Sequence, residues 1–130
     1  MFDKKMICED GFENVVENGQ VVGFALLARL PYYRGLGLSM VEDVSVTVDG
    51  EKADPASIRL ELQGRRWSLA EMENEHGARW NFGEKARVIV LKPGGLQPGR
   101  HKIELSERLR ISYLPFVPTT KDAKELELAA

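Results

Sequence analysis

Cysteine and histidine are nearly absent from this sequence. One cysteine (Cys8) rules out an intrachain disulfide, and with only His76 and His101 beside it the chain falls short of the four Cys/His ligands of a structural zinc site. An excess of one charge sign is missing too. Lys and Arg number 18 against 20 Asp and Glu, a net charge of −2, which gives no electrostatic reason for nucleic acid or an anionic membrane as partner. No run approaches the roughly 18 apolar residues of a membrane span. The charged stretch Met1–Asp10 lacks the apolar core of about 7–15 residues that a secretory signal needs, so a cytoplasmic location is the expectation. Phosphate loops and nucleophile elbows are also lacking: Gly35-Leu36-Gly37 has neither the spacing nor the following helix of a dinucleotide fingerprint.

What is present is 130 residues, 43% hydrophobic and 29% charged, the size and balance of one globular domain. The dominant periodicity is two. Asp43–Asp49 alternates strictly, with Val44, Val46 and Val48 on one face. Ile58–Gln63 and Lys85–Val90 do the same, the latter becoming apolar on both faces. Such alternation sets one face on a core and the other in water, as in antiparallel sheets. Arg100–Leu114 alternates over a length that would exceed most strands, and Glu107 falls on its apolar parity, so a bend or bulge is expected near Ser106–Glu107. Asn18-Gly19 and Asp49-Gly50 are hairpin signals, and Asp54-Pro55, Pro93-Gly94-Gly95 and Pro98-Gly99 mark further turns. Ser68-Leu69-Ala70-Glu71 has the form of a capping box. These features predict an all-β fold, an antiparallel β-sandwich of about 8–10 strands, with one short helical turn near Ser68–Met72. Residues 1–118 are expected to form a single sandwich domain, and 119–130 a C-terminal tail or docking arm.

Side chains with chemical potential are few, and each has a plain structural reading. His101 shares its parity with Ile103 and Leu105, which predicts a packed histidine at the end of the core rather than a general base. His76 lies in an acidic stretch, Glu73–Gly77, with too few ligand neighbours for a metal. Glu9-Asp10 and Glu42-Asp43 are sequence neighbours on extended chain and point to opposite faces, so neither pair is a carboxylate dyad by itself. Trp67, Trp80 and Phe82 read as core. The unusual stretch is Arg29–Leu38. Pro31 stops a strand-like run from Val21 to Leu30, two glycines free the backbone, and Tyr32, Tyr33 and Arg34 stand in succession. Tyrosine and arginine combine an apolar or stacking body with a polar tip, the types favoured at interfaces and sugar sites. Pro31, Tyr32, Tyr33, Arg34, Gly35 and Leu36 are therefore the candidate substrate-pocket or subunit-interface residues, and no residue of the chain is predicted to be catalytic or a metal ligand.

An ordered set of motifs points to a family. Ile7-Cys8-Glu9-Asp10-Gly11-Phe12, Arg29-Leu30-Pro31-Tyr32-Tyr33-Arg34-Gly35 and Ser39-Met40-Val41-Glu42-Asp43 resemble the small (β) subunit of bacterial C-glycoside deglycosidases. Val46-Thr47-Val48-Asp49-Gly50, Phe82-Gly83-Glu84-Lys85-Ala86, Lys92-Pro93-Gly94-Gly95-Leu96 and Ile111-Ser112-Tyr113-Leu114-Pro115-Phe116 continue the resemblance in matching order. It implies a heteromer. A TIM-barrel alpha subunit would carry a divalent metal, often manganese, and the acid/base residues, while this chain, without a cofactor, packs beside the active site. The substrate implied is a 3-oxo-C-glycoside, whose carbon–carbon glycosidic bond is cleaved by elimination. The chain would then be an accessory subunit of a carbon–carbon lyase. The alternative reading is a free-standing carbohydrate-binding β-sandwich module, and a third is a plain assembly sandwich.

Overall fold

The computed structural model describes residues 6–8, 10–29, 36–75, 77–80, 84–109 and 119–128, with Leu36 described by its backbone alone. Two antiparallel sheets face each other. The first has five strands in the order β1 (Glu13–Glu17), β2 (Gln20–Ala28), β9 (Ala86–Leu91), β6 (Ile58–Leu62) and β7 (Arg65–Ser68). The second runs β11 (Thr119–Leu128), β10 (Gly99–Leu109), β4 (Val41–Val48) and β5 (Glu51–Lys52). A two-stranded pair, β3 (Leu36–Gly37) with β8 (Arg79–Trp80), one α-helical turn, α1 (Leu69–Met72), and two 3-10 turns, Leu38–Met40 and Pro55–Ser57, complete the described elements. The all-β sandwich and its single short helix are thus as the periodicity predicts.

The turns follow from local chemistry. Asn18 (φ 52°) with Gly19 (φ 77°) joins β1 to β2, and Asp49 (φ 51°) with Gly50 (φ 86°) joins β4 to β5. Both pairs adopt the left-handed conformation that matches the twist of the flanking strands. Gln63-Gly64 closes the β6–β7 hairpin in the same way, although no asparagine or aspartate announces it. The Ser68 hydroxyl accepts the Glu71 amide and the Glu71 carboxylate accepts the Ser68 amide, so the capping box starts α1. At Gly23 the backbone of β2 runs so close to β9 that any Cβ would collide with the Val90 carbonyl.

The core lies between the sheets. Phe24, Leu26, Leu60 and Val88 from the first meet Val44, Val46, Ile103 and Leu105 from the second, with Trp67 and Trp80 buried among them. A second, smaller cluster of Val15, Ala25 and Ile89, flanked by Val22 and Leu91, is separate from this core. Ala25 and Ile89 are paired in register and alternate with the inward-facing Leu26 and Val88, so this cluster lies on the outer face of the five-stranded sheet. Above that face run the ion pairs Glu17–Arg66–Glu61–Arg87–Glu13. Arg66 is on one edge strand and Glu17 on the other. In a flat sheet these edges would stand about 19 Å apart, beyond the reach of two side chains. The sheet therefore curls around its outer face.

Two expectations need correction. Residues 119–128 are not a tail: β11 pairs with β10 over ten successive register positions, Gly99↔Leu128 to Arg108↔Thr119. Leu126 and Leu128 join the core. Nor is the alternation of β10 broken at Glu107. Ile103, Leu105, Glu107 and Leu109 all point inward in unbroken alternation, and the register shift against β4 comes later, between Arg108 and Leu109. Glu107 is simply buried.

Candidate functional site

Of the recognition residues expected from sequence, Pro31, Tyr32, Tyr33, Arg34 and Gly35 lie outside the described residues, as do Glu9, His76 and Phe82. Leu36 opens β3, where it pairs with Trp80. The residues that flank the stretch can be placed. Ala28 pairs with Ala86, and Leu109 with Val41, at the same end of the two sheets. The opposite ends meet around Phe24, Val90 and Val48. Arg29, Leu36, Trp80, Glu84, Leu109 and Thr119 thus frame one end of the sandwich.

That end is braced by a short segment that sequence reading valued only as a motif. Ile7 bridges Ala28, the Cys8 amide donates to the Leu27 carbonyl at 2.9 Å, and the Arg29 amide donates to Met6 at 2.7 Å. The other side of the segment is held by the facing sheet. The Ile7 amide donates to Asp122 Oδ2 at 2.9 Å, and Lys124 Nζ donates to the Ile7 carbonyl at 2.5 Å. One residue therefore ties β2 of the first sheet to β11 of the second. Asp122 and Lys124 escaped sequence reasoning. The signal was their position on the parity of Leu126 and Leu128, where charged side chains need a partner.

The titratable groups here are committed to structure. Burial pushes the Cys8 thiol up, against the opposing pull of Arg29 and Lys85, so it is held as the unreactive thiol. A hydrogen bond from Lys85, 3.1 Å away, holds the Asp10 carboxyl down. Trp80 is fully buried and its indole N–H donates to the Glu84 carbonyl at 2.7 Å, while the Leu38 amide donates to Ala78. Trp67 is also buried, its N–H on Glu75 and the Arg65 guanidinium 4.8 Å from its ring centre. Both described tryptophans are core, as expected, and neither offers a sugar-stacking platform. Among the described residues no three His, Cys, Asp or Glu side chains gather as a metal site. Among the described residues, this end offers a hydrogen-bonded frame.

Two other concavities exist. A groove of about 580 Å³ runs over the outer face of the four-stranded sheet, lined by Asp43, Ser45, Thr47, Glu104, Ser106 and Lys121 among others, with no aromatic side chain among its described lining residues. A cavity of about 570 Å³ opens at the opposite end of the sandwich, with Phe24, Val48, Val90 and Leu96 on its walls and Asp49 and Lys92 at its edge. Beside it sits His101, packed as its parity predicts.

Comparison with known proteins then adds what geometry cannot. A family described as C-glycoside deglycosidase beta subunit matches residues 2–113. The 3'-dehydrocarminate deglycosidase beta subunit of a Microbacterium species is 37% identical over 116 residues, 88% of this chain and 83% of its own. The C-glycoside deglycosidase beta subunit of Eubacterium cellulosolvens is 32% identical over 114 residues, 87% and 78% of the two chains. A protein of the same name from Arthrobacter globiformis is 35% identical over 97 residues, 74% of each.

Proposed function

The chain belongs to the C-glycoside deglycosidase beta subunit family, and from that premise we propose that it is the metal-free subunit of a heteromeric carbon–carbon lyase, seated beside the active site of a metal-bearing TIM-barrel alpha subunit. The observation that carries this reading is the match over residues 2–113, which spans nearly every described element of the sandwich. The substrate class is a 3-oxo-C-glycoside, in keeping with the 3'-dehydro compound in the name of the Microbacterium relative.

The chemistry follows from that substrate. A C-glycoside has no glycosidic oxygen to protonate, so the ordinary glycosidase route through that oxygen is closed to it. A ketone at sugar C3 acidifies the C2 proton. A base takes that proton, the electron pair forms the C1–C2 double bond, the bond from C1 to the aglycone breaks, and the aglycone carbon gains a proton. The divalent metal, manganese in this reading, belongs to the alpha subunit and would polarise the 3-ketone there. This chain's contribution is to close the barrel mouth, where loops build the pocket, and to hold the C2–H near the base with water excluded. In this reading Tyr32, Tyr33 and Arg34 are the residues that meet substrate or partner, in keeping with the place of their described neighbours Arg29 and Leu36 at the framed end of the sandwich.

Co-expression with a barrel subunit tests the reading. The two chains are expected to purify in fixed ratio and to release aglycone from a 3-oxo-C-glycoside only together and with metal. A chain that stays alone and binds glycan by itself would instead be a carbohydrate-binding module. Within an intact complex, Tyr33→Phe and Arg34→Ala are each expected to lower kcat/KM by roughly tenfold, the value of one hydrogen bond lost in the transition state. Unchanged activity would remove these residues from the pocket.

A further inference from the structure

His101 stands between two acceptors. Its Nδ1 is 2.7 Å from Asp49 Oδ2 and its Nε2 is 2.7 Å from the Gln97 carbonyl oxygen. A backbone carbonyl cannot donate, and Asp49, whose carboxyl is held down by His101 on Oδ2 and by the Lys102 amide on Oδ1 (2.8 Å), is ionised and does not donate either. Both ring nitrogens must therefore carry hydrogen. The ring is 13% exposed and meets the edge of Phe12 with centroids 6.1 Å apart. The charged groups that face it are the Asp49 carboxylate from the β4–β5 turn and, more weakly, the Lys92 ammonium from the connection before β10. Its register partner on β11 is the apolar Leu126, and the segment just before β1 meets it with the ring of Phe12.

We propose that His101 is an imidazolium pin. While doubly protonated it fastens the β4–β5 turn to the 92–98 connection and fixes the walls of the 570 Å³ cavity, which has Asp49 on one side and Lys92 and Leu96 on the other. Loss of a proton leaves one nitrogen lone pair against an oxygen lone pair at 2.7 Å, and that contact opens. The neutral ring keeps Nδ1–H on the ionised Asp49, the stronger acceptor, so the Gln97 side is released. The end of the sandwich thus loosens on the alkaline side.

The direction of titration agrees. The Gln97 carbonyl first and the Asp49 carboxylate second raise the imidazole above its ordinary 6.5, against burial and Lys92. A raised value means that the pin's contribution is complete below pH 6.5 and is lost as the pH climbs through the folded-state value.

The test uses the full chain with [15N]histidine, alone and in the complex. The sequence has two histidines, so two ring spectra appear, and His101→Gln identifies the second by its loss. The expected result is an imidazolium at pH 6 whose midpoint lies above 6.5 and falls in Asp49→Asn. The protection factor of the Leu96 amide, corrected for intrinsic exchange, should drop about tenfold across that titration, the worth of one charged hydrogen bond, while the Lys102 amide, held by Asp49 on the retained side, keeps its protection. In His101→Gln that step vanishes. A singly protonated ring at pH 6, or protection that stays flat through the titration, would overturn the pin.

Discussion

At the scale of single residues, Glu107 carries the sharpest tension in the fold. It is fully buried on the inner face of β10 between Leu105 and Leu109, and neither carboxyl oxygen has a hydrogen-bond partner among the described residues. Burial holds its carboxyl well above the ordinary 4.5, so it sits in the core as the neutral acid. The folded state therefore binds this proton more tightly than the unfolded chain. Below pH 4.5 both states are protonated and ionisation costs nothing; as the pH rises from there toward the folded-state value, stability is progressively lost. Replacing the group by a hydrocarbon of similar size removes both the desolvated polar atoms and this pH dependence. Glu107→Leu is expected to stabilise the chain by on the order of 1–3 kcal/mol near neutrality, and by less at pH 4.5. Urea midpoints at the two pH values check it; a variant less stable than the parent at both would mean that the carboxyl has an undetected partner. The sequence disclosed the oddity, since Glu107 stands on an apolar parity, but it misled on the outcome. A charged letter reads as a break in the strand, whereas a carboxyl can enter a core by keeping its proton.

At the scale of elements, what was legible is what local chemistry decides. The Asn18-Gly19 and Asp49-Gly50 hairpins and the Ser68–Glu71 capping box are each set by a few adjacent residues, and each forms as read. β11 was not legible. Its inward parity holds Thr120, Asp122 and Lys124 before Leu126 and Leu128, so only two apolar residues mark the buried face. The charged pair is tolerated because residue 7, more than a hundred positions away, supplies an amide for Asp122 and a carbonyl for Lys124. No window of sequence contains that partnership. It has a testable weight. Asp122→Ala leaves the Ile7 amide without its acceptor and is expected to cost about 1–3 kcal/mol, with faster exchange of the Ile7 amide. Asp122→Asn keeps an acceptor oxygen and should lose less. Equal stability of the parent and both variants would show that β11 is held by its ladder with β10 alone.

At the scale of the whole molecule, two apolar clusters lie on opposite faces of one sheet, and among the described residues the outer one is overlain by long charged side chains rather than by a second layer. Long arginine stems cover apolar surface while their heads reach carboxylates, and Arg66 and Arg87 between them make four ion pairs to three glutamates on two other strands: Glu13 and Glu17 on β1 and Glu61 on β6, the last shared by both arginines. Nothing in the composition announces this, because Val15, Ala25 and Ile89 read as ordinary members of a strand until the curl of the sheet brings β1 toward β7. The functional reading has the same character: motif order along residues 7–116 disclosed the family, while the proposed chemistry would lie on a partner chain that this sequence does not contain. The curl separates two accounts of what the arginines do. If charge dominates, exposed pairs are worth about 0.2–1 kcal/mol each and fade in 1 M salt, where the screening length is about 3 Å. If coverage dominates, the stem matters and salt does not. Since Val15, Ala25 and Ile89 are buried on a face that no sheet opposes among the described residues, coverage is the expected term. Arg66→Met should therefore retain most of the parent's stability and Arg66→Ala should lose on the order of 1 kcal/mol. Denaturation at low salt and at 1 M NaCl should give the same Ala–Met difference; a difference that disappears at high salt, or Met falling to the level of Ala, would assign the closure to the ion pairs.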